Sequence, residues 1–132
     1  MNPMEEALRI AGLLYMHAMW QDFPFAALGP NKLIQRLKEL VMVVEVGNER
    51  EESLVVWMLF MGAIAAVGKG ASRIWFIAHL QRVTDGLSLD RWDVVKAKLE
   101  ALWWVERIHG KLCKAVWDEV VVLNSVVGDV RD

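Results

Sequence analysis

The sequence Leu54–Val67, LVVWMLFMGAIAAV, is a run of fourteen residues without a charged, polar or proline side chain. As an α-helix it would be apolar on every face, so protein or lipid would have to enclose it. Fourteen residues rise about 21 Å, whereas a helix that crosses a bilayer core needs roughly 20 residues. The stretch therefore predicts the buried central helix (54–67) of an all-α domain and not a membrane span.

Small residues cluster in the second half of this stretch, at Gly62, Ala63, Ala65 and Ala66. A glycine in the interior of a helix costs roughly 1 kcal/mol relative to alanine. The cluster predicts that a neighbouring backbone comes close to the helix at this point.

The composition indicates a single compact domain with a large apolar content. The chain has 132 residues, of which 55% are hydrophobic, and it contains seven tryptophans and seven methionines. A domain of this size has a limited interior, so part of the apolar surface is expected to meet a ligand, a protein partner or a second copy. We predict one helical domain over 1–132, with six or seven helices, that forms a homodimer or binds another protein.

Charge and cysteine content exclude several classes of function. The formal net charge is −2, and the Lys and Arg residues form no stripe typical of nucleic-acid binding. Cys113 is the only cysteine, which excludes an intramolecular disulfide or a cysteine-built metal cluster. The amino terminus carries Glu5 and Glu6 where a secretory signal would be basic. We expect an intracellular protein, in the nucleus or cytoplasm, without a metal or cofactor.

Local signals predict where the first helices begin and end. Asn2 and Pro3 suit the cap and the first position of a helix that reaches about Trp20. The segment 21–30, QDFPFAALGP, is typical of a loop that places Phe23 and Phe25 in the core. The segment 41–46, VMVVEV, is compatible with a short strand, but we predict it as helical because no partner strand is evident. Residues 47–53, GNEREES, are predicted as a solvated loop.

In the second half, glycines and caps divide the chain further. Gly68 and Gly70 predict the end of the central helix, and Ser72 is the predicted cap of the next one. Gly86 ends that helix, and Asp90 is expected to cap the following one. Gly110 is predicted to break the pattern before a last helix over 112–126.

The run Leu54–Leu80 resembles a segment of the fungal-specific transcription factor domain, which shows an apolar W-x-L-F-x-G-G/A-I-A-A stretch followed by an R-x-W-F-x-x-x-L helix. The resemblance extends downstream and covers roughly residues 5–121 in consistent order. The residues that carry it are Trp57, Leu59, Phe60, Gly62, Ala63, Ile64, Ala65, Ala66, Arg73, Trp75, Phe76, Leu80, Trp92, Leu99, Trp103 and 116–120.

The resemblance implies an all-helical regulatory region that mediates dimerisation and in some members senses small metabolites. Family members usually also carry a binuclear zinc cluster of six cysteines that binds DNA, and this chain has only Cys113. The chain is thus similar to the carboxy-terminal part of the family's regulatory region alone. Met1 and the well-formed first cap favour a stand-alone protein over an excised fragment.

Candidate site residues are aromatic, with one histidine and one arginine among them. His79 follows Trp75 by one helical turn and is the candidate general acid or base, although a core or boundary histidine satisfied by a hydrogen bond is the more ordinary role. Aromatic side chains with a few polar groups are also typical of ligand pockets, although their helical spacing favours core packing. The candidate ligand-binding residues are Trp57, Met61, Arg73, Trp75, Phe76, Trp103 and Trp104.

Two functions remain open from the sequence. The first is a regulatory, dimerisation or small-molecule-sensing module that does not bind DNA itself. The alternative is a small cofactor-free isomerase or cyclase that acts on a lipophilic fungal secondary metabolite in a Trp-lined pocket, with His79 as its acid–base group.

Overall fold

The computed structural model describes residues 2–19, 30–102 and 106–131, with side chains at 2–16, 31–102 and 109–127. These residues form six helices and no strand, which confirms the predicted all-α class. The helices are α1 (Pro3–Met19), α2 (Pro30–Val43), α3 (Glu49–Ala65), α4 (Gly70–Gly86), α5 (Trp92–Glu100) and α6 (Glu106–Arg131). The predictions for Phe23, Phe25, Trp103 and Trp104 fall outside the described residues.

The start of α1 is as predicted. The side-chain oxygen of Asn2 accepts a hydrogen bond from the backbone N–H of Glu5 at 2.9 Å, and the helix begins at Pro3. This cap satisfies one of the donors that the first turn leaves without an intrahelical partner.

The predicted helical continuation through 41–46 is wrong, because α2 ends at Val43. Valine loses side-chain freedom in a helix, and burial has to compensate for this loss. Val43 and Val46 are exposed, so nothing compensates for it at this end of α2.

Residues 49–53 are the first turn of α3, so the prediction of a solvated loop over 47–53 is wrong for them. Asn48 caps this helix: its Oδ1 accepts from the backbone N–H of Glu51, and its Nδ2 donates to Glu51 Oε1, both at 2.9 Å. Acidic side chains in a first turn are also stabilised by the helix dipole. The polar segment therefore extends the apolar helix by more than one turn.

The apolar part of α3 is enclosed by the rest of the fold. Ten consecutive residues, Val55–Ile64, are buried, and α3 packs against each of the other five helices. The predicted close approach occurs at Gly62, but the neighbour is the ring of Phe76 from α4 and not a backbone.

The predicted caps of α4 and α5 are wrong. α4 begins at Gly70, and Ser72 lies buried in its first turn, where its hydroxyl accepts from Gln35 Nε2 at 3.3 Å. α5 follows Arg91 and starts without a side-chain cap, so Asp90 does not fill that role. The end of α4 at Gly86 is as predicted.

Gly110 lies inside α6 and does not break the helix, contrary to the prediction. His109 and Cys113, one turn apart on either side of it, are completely buried. Their burial outweighs the roughly 1 kcal/mol that glycine costs in a helix. Within the described ranges, none of the six helices is both long enough and apolar enough to cross a bilayer.

Candidate ligand-binding site

A cleft of about 340 Å³ opens between α1, the first half of α3 and the end of α5. Five of its described lining residues are apolar and one is an arginine. They are Leu8 from α1, Arg50, Leu54 and Trp57 from α3, and Ala101 and Leu102 after α5. A volume of this size is within the range of small-molecule sites.

The spacing of residues on α3 explains one wall of the cleft. Arg50, Leu54 and Trp57 lie one and two turns apart, so they form a stripe along one face of the helix. Trp57 is completely buried and forms the floor, whereas Arg50 is exposed at the mouth. The opposite wall is held by the turn after α5, where the backbone N–H of Leu102 donates to the carbonyl of Leu99 at 3.0 Å.

A second apolar depression, the α1 groove, adjoins the cleft at Leu8. It has a volume of about 390 Å³, and its described lining comes from α1 alone: Leu8, Arg9, Gly12, Leu13, Tyr15 and Met16. A β-carbon on Gly12 would meet nothing within 4 Å, so the groove is open at this position. Leu8 therefore separates two neighbouring apolar spaces.

An aromatic row leads inward from the floor of the cleft. The rings of Trp57 and Tyr15 lie 6.0 Å apart, and Tyr15 stacks on His109 of α6 at 4.6 Å. Burial raises the pKa of Tyr15 above its ordinary value of 10.0. Tyr15 and His109 were missed by sequence reasoning, because they meet only through the packing of helices that are distant along the chain.

Arg50 is the charged side chain among the described residues that line the cleft. Its side chain forms no ion pair or hydrogen bond with any described residue. The neighbouring acids have other partners: Glu49 pairs with Lys98 at 3.6 Å, and Glu51 is bonded to Asn48. Arg50 was not predicted as a site residue, because the polar sequence around it is typical of a solvated loop.

His79 lies on α4 in contact with one aromatic ring and one cation, Trp75 and Arg82. Its imidazole stacks on Trp75 at 4.9 Å, and its Nδ1 accepts from Arg82 Nη2 at 3.1 Å. Burial and the adjacent Arg82 charge lower the pKa of His79, which keeps the ring neutral at physiological pH. Lys38 of α2 lies 5.5 Å above the Trp75 ring as a cation–π contact.

Of the candidate ligand-binding residues, only Trp57 is among the described residues that line the cleft. Met61 and Phe76 are buried in the core, and Trp75 packs edge-on against Phe76 at 5.0 Å. Trp103 directly follows the cleft residue Leu102 in the chain, but it lies outside the described residues, as does Trp104.

Arg73 joins three helices. Its guanidinium, which is only 15% exposed, donates to the carbonyl of Ala63 near the end of α3 and pairs with Glu119 of α6. A planar guanidinium can donate to two separate acceptors at once from fixed N–H groups, which the single ammonium of lysine cannot do in the same geometry. The observed contacts of Arg73 are thus internal ones that tie α4 to α3 and α6.

Comparison of the chain with protein-family models, with curated proteins and with solved structures found no match. The resemblance to the fungal-specific transcription factor domain therefore stays a prediction from the sequence motifs. Among the described residues, no three His, Cys, Asp or Glu side chains lie close enough to hold a metal ion.

Proposed function

We propose that this protein is a regulatory module that binds a lipophilic small molecule in the cleft above Trp57. The observation that carries the proposal is an apolar cleft whose walls come from three helices, with a buried indole as its floor. Small-molecule sites are concave and mainly apolar, and contain a small number of polar groups. The family that the sequence resembles has regulatory regions that sense metabolites, which agrees with this function.

Occupancy of the cleft has a direct energetic effect on the fold. A ligand in the cleft contacts α1, α3 and the end of α5 together, and burial of each of its methylene groups contributes about 0.8 kcal/mol. Because the unfolded chain has no such cleft, binding raises the free energy of unfolding in proportion to the logarithm of ligand concentration. A sensing module could report the presence of its ligand through this increase in the free energy of unfolding.

The test uses the neutral fluorophore phenylnaphthylamine and two exposed alanines. Ala101 lines the cleft, whereas Ala115 of α6 does not line it. Ala101→Trp fills the cleft and is expected to abolish saturable binding of the fluorophore. Ala115→Trp adds the same bulk outside the cleft and should leave binding unchanged.

Circular dichroism and the midpoint of thermal unfolding establish that both variants are folded. Absence of saturable binding by the unaltered protein, or equal binding by Ala101→Trp, would rule out the cleft as a ligand site.

Dimerisation through α6 is the second part of the proposed function. Five of the seven residues in 121–127 are apolar, and none of the seven side chains is buried. Val122 and Val126 lie one turn apart in this segment and are both exposed, so they form an apolar strip on an exposed face of α6. An exposed apolar strip on a helix is a surface on which a second helix can pack. A second copy related by a twofold axis would supply that helix.

The alternative of a cofactor-free isomerase or cyclase receives less support from the geometry. His79 does not line the cleft or the α1 groove, and its Nδ1 already accepts a hydrogen bond from Arg82. A general base has to reach the proton that it abstracts from a bound substrate.

A further inference from the structure

We infer that the molecule bound in the cleft is an amphiphile with a single anionic group, a carboxylate or a sulfonate, held at the mouth by Arg50. This inference rests on the proposed function, because it assigns the chemical class of the ligand in the same cleft. It also gives the ligand a direction, with the anion at the mouth and the apolar body toward Trp57.

The first support is the charge balance of the cleft. Arg50 is the only charged side chain among its described lining residues. Arg50 also borders an adjoining depression that Glu49 and Asp93 line, but these two carboxylates pair with Lys98 and Arg91. The acids next to it in the chain point to other partners, Glu49 to Lys98 and Glu51 to Asn48. An anion at the mouth would therefore meet a guanidinium that donates to no acceptor among the residues that the structure describes.

The second support is the position of Arg50 in the first turn of α3. Cations are disfavoured at a helix amino terminus, where acidic side chains are stabilising. Helix formation thus gives no reason for an arginine at this position, and the residue has no ion pair within the described chain. An external anion bound to Arg50 would offset the unfavourable interaction between its positive charge and the helix dipole.

The third support is the order of residues along the stripe. Arg50, Leu54 and Trp57 pass from the exposed mouth to the buried floor over two turns, about 10 Å of helix. An apolar chain or ring system of that length can occupy the floor while its charged end stays at Arg50. Arginine is also suited to the two oxygens of a carboxylate or sulfonate, which it binds with two parallel hydrogen bonds.

Arg9, the cation of the adjoining α1 groove, differs from Arg50. It lies near Glu6, whose carboxylate is already bonded to Arg36 at 3.0 Å and is also stabilised by the Arg9 charge. Arg50 differs from Arg9 in its surroundings, because the cleft at Arg50 has walls from α1, α3 and the end of α5, whereas the described lining of the α1 groove comes from α1 alone.

The experiment compares two fluorophores that share one ring system. Anilinonaphthalene sulfonate carries an anion, and phenylnaphthylamine is its neutral counterpart. Arg50→Gln is expected to weaken binding of the sulfonate about tenfold and to leave the neutral probe unaffected. Arg91→Gln is the matched control, because it also removes an exposed positive charge but one that lies outside the cleft, and it should alter neither affinity.

The outcomes separate this inference from the proposed function. If neither probe binds the unaltered protein, the proposed function fails together with the inference. If both probes bind with equal affinity and Arg50→Gln changes neither, the cleft is a ligand site but the anionic class is wrong. Loss of both probes in Arg50→Gln with an unchanged circular dichroism spectrum would also contradict a role confined to the anion.

A sedimentation assay with phosphatidylcholine vesicles that contain oleate, an amphiphile with a carboxylate, identifies the source of the amphiphile. If Arg50→Gln weakens binding of the sulfonate probe but not sedimentation with vesicles, the natural ligand is a free amphiphile. If it weakens both, the ligand is a lipid drawn from a bilayer. Sedimentation that does not depend on Arg50 would contradict a bilayer source for the cleft ligand.

Discussion

The ring of Phe76 lies directly on the backbone of Gly62, so close that a β-carbon at Gly62 would overlap the ring atoms Cε1, Cζ and Cδ1. Both residues are buried in the contact between α3 and α4. Interiors are close-packed, so a ring in this position leaves no space for a methyl group. The absence of a side chain at Gly62 therefore sets how closely α4 approaches α3.

Gly62→Ala is expected to lower the free energy of unfolding by about 1–3 kcal/mol, because overpacking outweighs the gain in helix propensity. Gly12→Ala is the matched control, since Gly12 is also inside a helix but a β-carbon there would meet nothing within 4 Å. That substitution should stabilise the protein by up to about 1 kcal/mol. Urea unfolding measures both values, and a stabilising Gly62→Ala would refute the packing argument.

Arg73→Met is expected to cost about 1.5–3 kcal/mol, because the carbonyl of Ala63 and the carboxylate of Glu119 both lose a charged donor. Arg73→Lys should restore little of this, since an ammonium lacks the fork that reaches both acceptors. The exposed pair Arg91–Asp93 provides the comparison, and Arg91→Gln should change stability by less than about 1 kcal/mol. Equal effects at Arg73 and Arg91 in denaturant unfolding would argue against the three-helix role.

The stability of the protein should depend on pH through His79, whose folded pKa is below the ordinary value of 6.5. Above that value the imidazole is neutral in both states, so its contribution to stability is fully present. As the pH falls below 6.5, the unfolded chain binds a proton that the folded protein does not, and stability decreases until the folded pKa is reached. Burial of the ring is the main cause of the lowered pKa of His79, and the adjacent Arg82 charge adds to it.

His79→Gln removes this proton uptake. Its unfolding free energy is therefore expected to fall less than that of the unaltered protein between about pH 7.5 and about pH 5.5. Urea titrations at the two pH values measure the difference, and identical pH slopes for the two proteins would exclude the shift. If His79 has no role in the cleft, the same variant should bind phenylnaphthylamine with unchanged affinity.

Self-association should depend on the exposed valines of α6. Val122 and Val126 are 64% and 54% exposed and lie one turn apart. The double variant Val122→Glu, Val126→Glu is expected to be monomeric in analytical ultracentrifugation at concentrations where the unaltered protein is a dimer or larger. Ile74→Glu, at an apolar α4 position that is 68% exposed, serves as the control and should still associate. An unaltered protein that sediments as a 15.0 kDa monomer would refute the dimer.

Local sequence signals predicted much of the helical structure because they act over one or two turns. The cap at Asn2 and the end of α4 at Gly86 depend on neighbouring residues only, and both are observed. The errors at Val43 and Gly110 have a different origin. Whether a valine or a glycine continues a helix is decided by burial against other helices, which single-sequence periodicity does not report.

The sequence by itself determined that this protein is helical and that Leu54–Val67 is too short to cross a membrane, since composition and periodicity carry both facts. Only the tertiary structure decided that Trp57 forms the floor of a cleft, that Arg73 has internal partners and that His79 lies outside the cleft. The physical reason is that a cleft is made by residues distant along the chain, here Leu8, Trp57 and Leu102. Their approach depends on how the ring of Phe76 and the other core side chains set the positions of the helices.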